Sequence, residues 1–174
     1  MRQADVARRI LETSKIQGTF RLRSGKVSET YFDKYLFESD PKLLHAIVLL
    51  IVPLIPQSTE VVCGLEMGGI PVCTVLSQVT GLPAAFIRKA RKSYGTEKFA
   101  EGPALPGRSI VLIEDVVSTG GALVEAASML KADGIHASNA ICVIDREMGG
   151  RDALAQIGVE LQAVFSMSDI ENAT

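Results

Sequence analysis

The sequence predicts an α/β fold: a parallel β-sheet of about five strands flanked by helices, with a small N-terminal hood. Three observations carry that expectation. Apolar runs recur at 60–64, 84–88, 109–114, 138–144 and 159–165, short and apolar on both faces, as strands inside a parallel sheet are. Helical patterns lie between most of them, at about 70–80, 120–133 and 150–157. Gly81 and Gly134 close the first two of these helices, where a left-handed residue commonly ends one.

The elements ahead of this alternation are less regular. Residues 3–16 read as an amphipathic helix with Val6, Ile10 and Leu11 on one face. A β-prone stretch follows near 20–23, turns at Ser24-Gly25 and resumes near 31–33. Asp40-Pro41 then opens a helix, since the carboxylate can accept from orphan amides and proline at the first position loses no hydrogen bond. Leu43, Leu44, Ile47, Val48, Ile51 and Leu54 give that helix a broad apolar face. At 174 residues the chain suits one domain, with 1–40 as the hood and 41–174 as the core.

Composition narrows the partners. With 22% charged residues and a net charge of −2, the chain has no global attraction for nucleic acid or an anionic membrane. An anion site must therefore be a local cluster. The apolar run from Ala46 to Ile55 is broken by Pro53 and falls short of the roughly 20 residues of a spanning helix. The N-terminus lacks a signal peptide's apolar stretch. Cys63, Cys73 and Cys142 lie among apolar neighbours without metal or CxxC spacing, so reduced thiols and a cytoplasmic location are expected.

Ligands of open α/β sheets gather beyond the carboxyl ends of strands. The run 110–113 leads into Glu114-Asp115-Val116-Val117-Ser118-Thr119-Gly120-Gly121-Ala122, where a helix begins. The glycines let backbone amides approach a ligand, and the helix start adds unpaired N–H groups that suit phosphate. Ser118 and Thr119 add hydroxyl donors. Two adjacent carboxylates are ill-suited to phosphate but fit ribose hydroxyls or hydrated Mg²⁺. A plain capped turn would need none of the acids, so a ribose-phosphate site is expected.

This stretch resembles the signature of type I phosphoribosyltransferases, which bind phosphoribosyl pyrophosphate (PRPP). It matches neither a Walker loop nor a GxGxxG turn. A second stretch, Arg88-Lys89-Ala90-Arg91-Lys92-Ser93-Tyr94-Gly95 with Glu101-Gly102 beyond, is similar to the basic loop of orotate phosphoribosyltransferases. A solvated charged loop is the plainer reading of these bases. The resemblance implies instead that Arg88, Lys89, Lys92 and Tyr94 meet PRPP. Lys92 would contact the pyrophosphate in the transition state, and Tyr94 stands where the family usually has histidine. Gly95, Gly102 and Gly107 would let this segment move.

The resemblance covers most of the chain. Residues 20–25 and Ser28-x-x-Tyr31-Phe32-Asp33 look like the family's hood, which implies that Arg23, Tyr31 and Phe32 flank the orotate ring, with one of the two aromatics touching it. Ser118 and Arg146, the latter in Asp145-Arg146-Glu147, match positions that meet the base. A guanidinium pairs well with a planar carboxylate, although a surface Asp145–Arg146 ion pair is the alternative. Gly68 stands where many relatives carry lysine. What the family implies is transfer of phosphoribose from PRPP to orotate, with Mg²⁺ bound mainly through PRPP and no metal site of the protein's own. Lys92 and Asp115 would be the catalytic residues of a homodimer that shares the 88–107 loop between subunits. A purine-base enzyme and a PRPP-sensing regulator are the rivals. The regulator would bring a DNA- or RNA-binding surface, for which no helix-turn-helix segment or basic stripe is present.

Overall fold

The computed structural model describes residues 1–21, 25, 27–91 and 99–173. α1 (Gln3–Ser14) buries Val6, Ala7 and Ile10, the face that its spacing marks. It stops at Ser14, and the chain turns directly into β1 (Lys15–Arg21), which pairs antiparallel with β2 (Val27–Phe32). The strand thus begins earlier than the β-prone residues alone indicate.

An unforeseen helix follows, α2 (Lys34–Ser39), whose Asp33 cap accepts from the Tyr35 N–H at 3.0 Å. α3 (Pro41–Ile51) starts as expected, with the Asp40 carboxylate accepting from Lys42 and Leu43 at 2.9 and 3.1 Å. A 3₁₀ turn over Val52–Leu54 ends it at Pro53, which has no N–H to continue the ladder.

The main sheet comprises β3 (Val61–Leu65), β4 (Ala84–Ile87), β5 (Ala100–Glu101), β6 (Ile110–Val117), β7 (Ala137–Asp145) and β8 (Glu160–Ser166). Its order is β5-β4-β3-β6-β7-β8. Five strands are parallel, as the apolar runs indicate; β5 adds a short antiparallel edge on β4. This edge lies in the segment read as a polar loop, where the buried Phe99 and Leu105 anchor the chain.

α4 (Gly69–Thr80), α5 (Gly121–Ala132) and α6 (Gly150–Ala155) connect the strands, and α7 (Met167–Glu171) closes the chain. α4 and α5 cross in opposite directions from the sheet's centre. Right-handed crossovers then place them on opposite faces. Val111 and Ile113 pack with α1, α3 and α4, whereas Ile110 and Leu112 pack with α5 and α6. The order reverses between β3 and β6, which opens the crevice where such sheets take ligands. Among the described residues no helix is long and apolar enough to cross a membrane. All three cysteines are free and buried; burial pushes the Cys63 and Cys73 thiols up to about 12 and Cys142 upward too, so they are inert packing groups.

Candidate active site

The site begins with two acids inside a strand. Glu114 and Asp115 belong to β6, which runs on to Val117, so the loop proper starts only at Ser118. Neighbouring strand residues face opposite sides. Glu114 therefore faces the start of α5, and Asp115 faces α2 and the turn before α4. The backbone holds both: the Asp115 N–H donates to Glu114 Oε1 at 3.1 Å, and the Val116 N–H to Asp115 Oδ1 at 2.6 Å.

Asp115 has no solvent exposure, and Lys34 Nζ lies 2.7 Å from its Oδ2. Glu38, one turn further along α2, is only 7% exposed and completes the group. Burial, reinforced by the Asp115 charge, pushes the Glu38 carboxyl up to about 9. Burial and Asp115 raise Glu114 well above the usual carboxylate range too. Burial works against Asp115 as well, but Glu38, Glu114 and Lys34 around it hold it below its ordinary value. Burial would lower Lys34, yet Asp115 outweighs it and keeps the ammonium charged. One carboxylate thus balances one ammonium, and the two glutamates are held toward their neutral forms.

Past β6, Gly120 is left-handed (φ 79°), and a Cβ there would stand 3.0 Å from the Gly150 carbonyl oxygen. Glycine is required at this turn. It places Ser118 and Thr119 at the start of α5, around a cavity of about 190 Å³ walled also by Glu114, Gly121 and Ala122. Backbone amides, hydroxyls and a helix start form an anion cradle there.

A larger cavity of about 660 Å³ adjoins it, since Val116 and Ser118 wall both. Ser28, Tyr31, Phe32, Lys34 and Arg146 line the larger one. Tyr31 and Phe32 both line it, and Phe32 also packs against the core. The Arg146 N–H donates to the Val117 carbonyl at 2.8 Å, pinning the β7 exit to β6. Asp145 does not pair with Arg146; its partner is Arg151, at 3.4 Å. Glu147 adopts a left-handed conformation (φ 58°), and its carboxylate accepts from the Ser168 N–H and hydroxyl at 3.0 and 2.5 Å. Arg146 itself lines the larger cavity.

Arg88 and Lys89 follow β4 and line a small cavity together with Glu66, Ala122 and Glu125. The Lys89 N–H donates to Glu66 Oε2 at 3.1 Å, and Arg91 pairs with Asp133 beyond α5. The fold therefore gathers Arg88, Lys89, Glu114, residues 116–122, Tyr31, Phe32 and Arg146 around adjoining cavities. Asp115 sits behind them, covered by Lys34. Arg23, Lys92 and Tyr94 lie outside the described residues. Sequence reasoning overlooked Lys34 and Glu38, whose importance depends on where the hood folds.

A family model of the phosphoribosyl transferase domain matches residues 43–161. An orotate phosphoribosyltransferase from Nocardioides sp. is 44% identical over 170 residues, which is 98% of this chain and 95% of that protein. The chain belongs to the orotate phosphoribosyltransferase family. Another relative of that name, from Methanocella arvoryzae, is 40% identical over 153 residues, 88% of this chain and 87% of its own. The crystal structure of Mycobacterium tuberculosis H37Rv orotate phosphoribosyltransferase in complex with Fe(III) dicitrate matches with a TM-score of 0.84. Identity is 25%, over 97% of this chain and 98% of that one.

Proposed function

We propose that this chain transfers phosphoribose from PRPP to orotate, giving orotidine 5′-phosphate and pyrophosphate. One observation supports it above the others: the glycine turn and helix start at Ser118–Ala122 wall a cavity that adjoins one lined by Arg146 and three aromatic residues, Tyr31, Phe32 and Tyr35. The cradle takes the 5′-phosphate, with Glu114 toward the ribose and Asp115 behind it. Arg88 and Lys89, with Lys92 and Tyr94, face the pyrophosphate. Arg146 pairs with the orotate carboxylate while Tyr31, Phe32, Arg23 and Ser118 frame its ring.

The reaction forms a bond from the base nitrogen to the anomeric carbon as the carbon–oxygen bond to pyrophosphate breaks. The proton on orotate's ring nitrogen passes to solvent as the new bond forms, and no residue is assigned as general base. Catalysis is then positioning plus stabilisation of charge on the leaving group. Mg²⁺ enters as part of the PRPP substrate and offsets pyrophosphate charge. The nearby acids fit that role: Asp115 is matched by Lys34 and Glu114 is held toward neutrality. Hard oxygen ligands would therefore come mainly from PRPP. The reading carries with it a cytoplasmic homodimer whose 88–107 segment serves the neighbouring site.

The test is a base panel. Pyrophosphate release is followed with Mg²⁺, PRPP and orotate, uracil, hypoxanthine, xanthine or adenine. Release with orotate alone is expected; turnover of a purine in its place would reassign the acceptor.

A further inference from the structure

Lys34 joins the hood to the sheet. It opens α2, two residues after Phe32, and its ammonium reaches the buried Asp115 carboxylate at 2.7 Å. The Asp115 side chain is inaccessible, whereas 34% of the Lys34 side chain remains exposed on the wall of the larger cavity. One partner of the ion pair is thus locked in the sheet and the other borders the ligand space.

The two Asp115 oxygens have different fixings. Oδ1 accepts the Val116 N–H, and Oδ2 faces Lys34. Oδ1 is thus held by a hydrogen bond and Oδ2 by an ion pair. Its own N–H holds Glu114 Oε1, so the setting of Asp115 extends to the acid on the cradle's wall. The next residues, Val116 and Ser118, border both cavities. Without Lys34, Oδ2 would be a carboxylate oxygen away from water and facing no cation. Such a group turns or takes up a proton.

We propose that Lys34 is a positioning residue: by clamping Asp115 it sets the end of β6 for PRPP, and it makes the seated hood a condition of that site. The cation therefore does more than close the hood. It ties the element bearing Tyr31 and Phe32 to the strand bearing Glu114 and Ser118. This inference rests on the reading of the site as one for PRPP.

The experiment measures binding of PRPP with Mg²⁺ by calorimetry, together with KM for each substrate and melting temperature. The proteins are wild type, Lys34→Met, Lys34→Arg, Asp115→Asn and the Lys34→Met/Asp115→Asn pair. The pair carries no buried unmatched charge, so it remains informative even where Lys34→Met folds poorly. Lys34→Met is expected to weaken PRPP by about tenfold, the size of one charge-assisted contact, with a smaller change in orotate KM. Lys34→Arg should recover most of the loss. In the Asp115→Asn background Lys34→Met should add little, because both changes break one linkage. Wild-type PRPP affinity in Lys34→Met, or losses that multiply in the pair, would overturn the inference while leaving the functional reading intact. A wild-type chain that binds no PRPP would remove the functional reading and this inference together.

Discussion

Gly68 has no room for a side chain because Asp115 fills the space: a Cβ there would stand 1.9 Å from Asp115 Oδ2 and 2.3 Å from its Cγ. The backbone at Gly68 is ordinary right-handed helix (φ −67°), so the demand is for volume alone. A side chain as long as the lysine that the family resemblance suggests for this turn is incompatible with Asp115 where Lys34 holds it.

Gly68→Ala is accordingly expected to push Asp115 or the turn aside. Overpacking of a tight site costs about 1–3 kcal/mol, visible as a lower melting temperature. PRPP affinity should fall along with it, read by calorimetry with Mg²⁺ present. An alanine variant that binds PRPP like the wild type would mean that the position of Asp115 is unimportant to the ligand.

Glu38 sets a pH dependence of stability. Its folded pKa, about 9, lies above the ordinary glutamate value near 4.3. Between those values the folded chain holds a proton that the unfolded chain has released. Stability from this group is therefore complete below the ordinary value and is lost as pH rises through about 9. Asp115 has the opposite sign: its depressed pKa stabilises the fold above the ordinary aspartate value, and that contribution fades in acid. Glu38→Gln, neutral at every pH, should flatten the decline in urea midpoint between pH 5 and 9. An unchanged slope would assign the proton to another group, with Glu114 first in line.

These relationships mark what the sequence can and cannot carry. The parallel strands, the α3 start at Asp40 and the cradle at Ser118–Gly121 were legible because each is written in adjacent residues. α7 was equally legible, as the capping box of Ser166 and Asp169, and went unread. So did Phe99 and Leu105, two apolar anchors inside a basic stretch. Glu114 and Asp115 were placed at the strand's end, whereas β6 runs on to Val117 and carries both acids inside the sheet. Only the folded hood, with Lys34 and Glu38 brought against β6, makes them tolerable there. That juxtaposition is a tertiary fact without a local signal.

Arg146 is expected to discriminate the acceptor. Its side chain borders the larger cavity, and Asp145 is occupied by Arg151. Arg146→Ala should raise the KM for orotate roughly tenfold to a hundredfold, as loss of a charge-assisted contact worth about 1.5–3 kcal/mol implies. The KM for PRPP should move much less. Equal effects on both substrates would show that Arg146 serves the structure of the β7 exit instead.

Lys92 follows the Arg88-Lys89 pair in the basic segment, and the family resemblance assigns it to the pyrophosphate in the transition state. A contact made only there lowers the barrier without tightening ground-state binding. Lys92→Ala should therefore depress kcat while leaving PRPP affinity nearly unchanged, the reverse of Asp115→Asn. If the segment serves the neighbouring subunit, the two variants complement each other. In a heterodimer of one Lys92→Ala chain and one Asp115→Asn chain, one site has both defects and the other has neither. Activity should then rise above both parents, toward one working site per heterodimer. Differently tagged chains, co-purified through both tags, supply the material. Purified heterodimers without recovery would place Lys92 in its own subunit's site or remove the shared-loop dimer altogether.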